Sequence, residues 1–248
     1  MSAVALLGLL LLFFITSAVG VITGSNSLIT VPVMFQFGID EKVAVATNMF
    51  GLTFMAAGAT IPFFRSRKLE INRLVPLIAV TLIGSALGAM LVGAIPNSGI
   101  RLIVSIAMLA IVAFTLFQNN GDGKGDELWR ITTLGLAVTF FLAIYGGLYS
   151  GGYVTLLTAA FVAFMGMTYS GAIAATKLIN VFSSLIATIV FMWQGLVDYR
   201  LGVLLAATMF VGAYAGAHFV TKMSETWLRR VFVATVILLA VKTLYDLV

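Results

Sequence analysis

The dominant pattern along the chain is a series of long apolar runs separated by short polar breaks. Most runs are long enough for a helix to cross the roughly 30 Å hydrocarbon core of a bilayer. A helix satisfies its own backbone hydrogen bonds in that core, whereas a membrane barrel would show shorter, alternating segments. The runs therefore predict an all-α integral membrane protein. We place them at 3–20, 27–37, 43–64, 71–94, 99–117, 129–149, 153–165, 171–193, 200–221 and 227–247.

Two of these runs, 27–37 and 153–165, are too short to cross a bilayer comfortably. At 1.5 Å per residue they reach only about 16–20 Å. Each follows a break rich in small residues, at 20–26 and 146–152. We therefore expect about eight transmembrane helices and two half-helices. Each half-helix should form a hairpin with the run before it and return to the side from which that run came.

The second half of the chain repeats the first. Residues 74–101 align without a gap to 202–229, and the matches include Gly84 with Gly212. Between the halves lies the stretch QNNGDGKGDE, whose glycines and charges predict a flexible loop. The predicted organisation is a first repeat at 1–117, a central loop at 118–128 and a second repeat at 129–248.

The positions of Lys and Arg predict how the helices are oriented. Nine of the 14 lie in the loops 65–73, 124–130 and 222–230, which we assign to the cytoplasm because cytoplasmic loops are rich in these residues. Four fall on the other side, and Lys177 lies inside a run. The loop 65–73 corresponds by repeat to the nearly neutral loop 194–200. The two repeats are therefore predicted to be inverted, as in many secondary transporters.

Composition narrows the classes of function. Only 9% of the residues are charged, against about 25% in soluble domains. With no cysteine and one histidine, we expect no transition-metal site, and no phosphate-binding or hydrolase motif is present. We expect neither an enzyme nor a bound cofactor, and the net charge of +5 reports topology rather than nucleic-acid binding. The expected partners are a small anionic substrate and the lipid bilayer. Association into a homo-oligomer is a further possibility.

The two breaks are candidates for an anion-binding site. A helix N-terminus presents unpaired N–H groups and the positive end of its dipole, and small residues let an anion approach the backbone closely. If the half-helices enter from opposite faces, their N-termini meet near the midplane. The alternative is that small residues only allow close helix packing. The candidate residues are Gly24, Ser25, Asn26, Ser150, Gly151 and Gly152.

Lys177 lies within an apolar run, where an ammonium group is costly to bury. Thr176, Lys177 and Asn180 fall on one broad helical face, and the repeat equivalents of the first two are Thr47 and Asn48. These five residues extend the candidate site. Because no carboxylate lies deep in a run, an anionic substrate is favoured over a cationic one. The alternative is that Lys177 reaches along its stem to the membrane surface.

The only histidine, His218, lies among Gly212, Gly216 and Ala217, residues typical of close helix contacts. We favour a packed, hydrogen-bonded side chain there. An imidazole that titrates near neutral pH could also serve proton coupling.

The order of these features resembles the TauE/SafE family of sulfite exporters, also called sulfite/organosulfonate permeases. The resemblance covers nearly the whole chain and rests on the first break and half-helix, the pattern G-x(8)-T-N from Gly38 to Asn48, the basic stretch 65–68, YSGGYVTLL at 149–157 and GMTYSGAIAATKLIN at 166–180. It implies gradient-driven export of sulfite, sulfoacetate or related small sulfur oxyanions by a multi-pass protein of the cell (inner) membrane. In that family the first break is usually richer in glycine than it is here. The resemblance therefore supports a small anion as the substrate more strongly than it supports sulfite itself.

Two other functions stay open. One is an uptake permease for another small organic anion on the same fold. The other is a membrane scaffold that transports nothing, in which the breaks would be packed and dry.

Overall fold

The computed structural model describes residues 3–24, 26–65, 71–100, 102–103, 106, 129–224, 227 and 230. In this part of the chain the regular structure is entirely helical. The helices with defined bounds are α1 (Ala3–Thr23), α2 (Ser27–Gln36), α3 (Glu41–Arg65), α4 (Ile71–Ala94), α5 (Thr133–Leu148), α6 (Tyr153–Met165), α7 (Tyr169–Trp193) and α8 (Tyr199–Val220).

The helices coincide with the apolar runs, and capping residues determine where α5 and α7 begin. The run 129–149 becomes helical only at Thr133, because Thr132 caps α5 by accepting a hydrogen bond from the Gly135 amide at 3.0 Å. Thr168 caps α7 in the same way, through the Gly171 amide at 3.1 Å. The central loop, most of 99–117 and nearly all of 227–247 lie outside the described residues.

Four helices of the described part, α3, α4, α7 and α8, are long and apolar enough to cross a membrane. The shorter apolar helices are Leu6–Ile22 within α1, together with α2, α5 and α6. Many large apolar side chains face outward, among them Val4, Phe141 and Trp193. A bilayer, rather than water, is the solvent that suits such a surface. The prediction of an all-α integral membrane protein is confirmed.

The helices pack in two matching sets. Helix α8 packs against α1 and α3, while α4 packs against α5 and α7. Gly84 and Gly212, which match in the sequence repeat, make equivalent contacts. A Cβ on Gly212 would lie 2.6 Å from the Phe14 carbonyl of α1, and one on Gly84 would lie 2.8 Å from the Phe140 carbonyl of α5. Both positions therefore need glycine so that two helix backbones can touch.

The two breaks form the tips of helical hairpins, α1–α2 and α5–α6. The open end of the second hairpin is tied together, because the Arg130 amide donates to the Met165 carbonyl at 3.1 Å. Helix α6 therefore returns to the end of the bundle at which α5 begins. The chain turns at Gly152 with a φ of +75° and at Gly24 with a φ of +69°, backbone conformations that favour glycine.

Candidate functional site

The tips of the two hairpins meet inside the bundle. Ser27 is the first residue of α2 and Ser150 lies just before α6, and their buried hydroxyl oxygens are 2.7 Å apart. The Tyr149 hydroxyl donates to the Ser27 carbonyl at 3.0 Å. Gly24 approaches the first turn of α6 so closely that a Cβ there would lie 2.8 Å from the Thr155 amide nitrogen. The structure thus brings together the N-termini of the two half-helices.

Asn48 of α3 ties the first turn of α2 in place. Its Nδ2 donates to the Ser27 hydroxyl at 2.9 Å, and its Oδ1 accepts from the Thr30 hydroxyl at 2.8 Å. Both ends of this amide are therefore used, so Asn48 positions the Ser27 hydroxyl.

Lys177 lies beside the hairpin tips. Its side chain is 3% exposed, and its Nζ donates to the Gly20 carbonyl, in the last turn of α1, at 3.0 Å. No Asp or Glu of the described part of the chain pairs with it. Because an ammonium group carries three donors, further donors are available to a ligand. The alternative that Lys177 reaches the membrane surface is wrong.

A cavity lies between these groups. The centre of a water molecule can occupy about 20 Å³ of it, and one water needs roughly 10–15 Å³ on this measure. Its lining consists of Gly20, Gly24, Asn26, Ser27, Leu52, Met55, Ala56, Ala59, Ser150, Val154, Lys177 and Asn180. The cavity is thus large enough for about one water, and a larger guest requires the lining to move.

Asn26 is a buried polar side chain of this lining whose hydrogen bonds are incomplete. It is 4% exposed, and its Oδ1 has no hydrogen-bond partner among the described residues. Its Nδ2 donates only to the Met55 sulfur, at 3.5 Å, and a thioether is a weak acceptor. A buried amide in this state is unfavourable, so a ligand or water that completes its hydrogen bonds would be favoured.

Five of the residues predicted from the sequence line the cavity: Gly24, Asn26, Ser150, Lys177 and Asn180. Asn48 lies one hydrogen bond behind it. Ser25 lies outside the described residues.

The other predicted residues support the site without lining it. The Thr47 hydroxyl accepts from the Asp198 amide at 3.0 Å and fastens the chain before α8. The Thr176 hydroxyl bonds to that of Thr158 at 3.2 Å, between α7 and α6. The Gly151 carbonyl accepts from the Tyr145 hydroxyl. Gly152 makes the turn at the tip, so its glycine is explained by backbone conformation and not by contact with the cavity.

The interpretation of His218 as a packed side chain is wrong. Gly212, Gly216 and Ala217 are buried as expected, but His218 is exposed on another face of α8, with its ring 6.5 Å from that of Phe219. It does not line the cavity. Consecutive residues of a helix point about 100° apart, so His218 faces outward although its neighbour Ala217 is buried.

Sequence reasoning missed the contribution of α3 to the cavity, which consists of Leu52, Met55, Ala56 and Ala59. These residues follow Asn48 at helical spacing and therefore lie on the same face of α3 as Asn48. Listing the residues of that face could have identified them. They are apolar in an apolar run, and nothing in the pattern alone distinguishes a cavity wall from a packed core.

Comparison with known proteins shows the family to which this chain belongs. The family model described as "Sulfite exporter TauE/SafE" matches residues 9–243. The chain belongs to the TauE/SafE family.

Relatives named as transporters span almost the whole chain. The "Probable membrane transporter protein" of Haemophilus influenzae is 27% identical over 94% of this chain and 92% of its own length. "Probable membrane transporter protein ORF9" of a Sinorhizobium species is 27% identical over 94% and 90%. "Probable membrane transporter protein YfcA" of Escherichia coli K12 is 28% identical over 95% and 89%. No solved structure matches. Family membership and these names support a multi-pass membrane transporter.

Proposed function

We propose that the protein is a secondary transporter that exports small sulfur oxyanions, such as sulfite, sulfoacetate or related organosulfonates, across the cytoplasmic membrane by alternating access. The observation that carries this proposal is the meeting of the α2 and α6 N-termini beside Lys177. The TauE/SafE family description names sulfite export, and the chemistry of the site fits a small anion.

The electrostatics of the site favour an anion over a cation or a neutral solute. Each half-helix leaves its first N–H groups without an intrahelical partner, and its dipole places about half a positive charge at that end. Protonated Lys177 adds a further positive charge. An oxyanion that leaves water needs several donors at once. The ammonium and the backbone N–H groups are such donors. The Ser27 and Ser150 hydroxyls bond to each other, which leaves one of their two protons for the anion.

We further propose that the repeats 1–117 and 129–248 are inverted and move against each other around this site. The last described helix of each repeat packs against the other repeat: α4 packs on α5 and α7, and α8 packs on α1 and α3. This matching arrangement supports two equivalent units. Rigid-body rocking of two inverted units around a fixed site gives alternating access. The Lys and Arg distribution supports an orientation with the loop 65–73 in the cytoplasm.

The test is a flux panel in proteoliposomes with sulfite, sulfoacetate, taurine, sulfate and lactate, driven by an imposed gradient. We expect flux of sulfite and sulfoacetate above that of protein-free liposomes. Flux of lactate without flux of the sulfur oxyanions would indicate a permease for another organic anion. A folded, reconstituted protein that moves none of the five solutes would contradict transport and support a scaffold.

A further inference from the structure

The cavity at the hairpin tips has one polar wall and one apolar wall. Helix α7 contributes Lys177 and Asn180, whereas α3 contributes only apolar side chains. The α3 residues are all buried, at 5% exposure or less, and we call them the α3 wall. The α3 wall consists of Leu52, Met55, Ala56 and Ala59.

The α3 wall is continuous with the polar end of the cavity. Its spacing of three, four and seven residues places it on one helical face, and Asn48 precedes it on that face by one turn. From Asn48, which bonds to Ser27, the face therefore changes from polar to apolar. From Leu52 to Ala59 it extends about 10 Å along the helix axis.

We propose that the α3 wall binds the apolar part of the transported anion and that Met55 and Ala59 set the length of its tail, so that among organosulfonates those with a short unbranched alkyl tail bind more tightly than sulfite. This inference rests on the proposed function and narrows its substrate class. A bare oxyanion would leave the α3 wall facing a group that gains nothing from methyl contacts.

The expected gain from the wall follows from the transfer of methylene groups out of water. Each buried methylene strengthens binding about fourfold. The anionic head stays at the polar wall, where donors replace its hydration. Affinity should therefore rise with tail length until the tail reaches Ala59.

Met55 is the adjustable part of the wall. Its sulfur lies 3.5 Å from the Asn26 Nδ2, and its terminal methyl would lie 3.1 Å from a Cβ placed on Gly20. An unbranched thioether side chain changes conformation easily. If Met55 withdraws, it releases the Asn26 amide for the anion and opens space that the present 20 Å³ does not provide.

The experiment measures, by calorimetry on the purified protein, the affinity for sulfite and for the linear alkanesulfonates from methanesulfonate to hexanesulfonate. For the parent we expect a rise of about fourfold per methylene up to a limiting length. Ala59→Leu should shorten that limit and weaken binding of the longer sulfonates more than binding of sulfite, and Met55→Ala should lengthen it. The matched control is Ala57→Leu, on the same helix but partly exposed and outside the lining, which should behave like the parent.

A parent whose affinity does not depend on tail length would overturn this inference, as would an unchanged limit in folded Ala59→Leu. If Ala59→Leu does not elute as a folded species in gel filtration, Ala59→Val and Met55→Ala decide the question in the same way. Sulfite binding together with a flat alkanesulfonate series refutes the tail site alone. A folded parent that binds neither sulfite nor any sulfonate refutes the proposed function as well.

Discussion

At the scale of single residues, position determines what a lysine does in this protein. Lys177 and Lys42 make the same kind of bond, each donating from Nζ to a backbone carbonyl at 3.0 Å. Lys42 does so near the surface, at the Gly93 carbonyl, where water screens its charge. Lys177 does so in a buried site next to the unsatisfied Asn26 amide. Only the second charge is placed to bind a substrate strongly.

Single residues also show how far the pattern of apolar and polar positions can predict the site. The cost of burying an ammonium group is enough to make Lys177 a candidate from the sequence alone. His218 could not be placed from its neighbours, because adjacent residues on a helix point about 100° apart. The cavity lining from α3 could not be predicted either, because the role of Met55 or Ala59 depends on what packs opposite, which lies far away in sequence.

At the scale of elements, the hairpins are the most predictable feature of the site. The shortness of α2 and α6 and the small residues before them suffice to predict two half-helices that begin inside the membrane. The contact between their tips depends on the close approach of two backbones. The hydroxyl bond between Ser27 and Ser150 joins residues 123 positions apart, and periodicity within a single segment cannot report such a contact.

The close approach at the tips predicts a specific effect of adding one methyl group. Gly24 has a φ of +69°, and a Cβ there would lie 2.8 Å from the Thr155 amide nitrogen. Gly24→Ala should therefore push the tips apart, weaken sulfite or sulfoacetate affinity at least tenfold, and lower the thermal midpoint. The measurements are calorimetric titration and thermal unfolding in detergent.

Gly38 provides the matched control for this substitution. It has a φ of +75° but has no atom within 4 Å of its Cβ position, so Gly38→Ala carries the same backbone strain, about 1–2 kcal/mol, without the collision. We expect Gly38→Ala to lower stability while keeping the parental affinity. Equal affinity losses in the two variants would show that the tip contact does not shape the site.

At the scale of the whole molecule, the proposed inversion makes a prediction about which side each helix begins on. Asn72 and Tyr199 lie at equivalent places, near the starts of α4 and α8, and both are exposed. The natural chain has no cysteine, so a single cysteine at either position is a unique label. Membrane-impermeant maleimide should reach the two positions from opposite faces of the membrane. Labelling of both from one face would exclude inverted repeats.

The organisation of the whole molecule could be predicted only in part. The apolar runs are sufficient for the helical membrane fold, since a bilayer leaves few other ways to satisfy the backbone. The packing of α4 on α5 and of α8 on α1, each across the two repeats, could not be predicted from the runs. It depends on glycines such as Gly84 and Gly212. The sequence repeat identifies these glycines but does not indicate which helices they contact.

The central claim is that a small anion is held between the hairpin tips by Lys177, and its most direct test is the affinity of Lys177→Met for sulfite and sulfoacetate. A hydrogen bond to a charged group contributes roughly 1.5–3 kcal/mol. The folded variant should therefore bind about 10–100-fold more weakly than the parent, while Lys42→Met keeps the parental affinity. Parental affinity in a Lys177→Met protein that elutes as a folded species in gel filtration would contradict the claim and place the anion elsewhere.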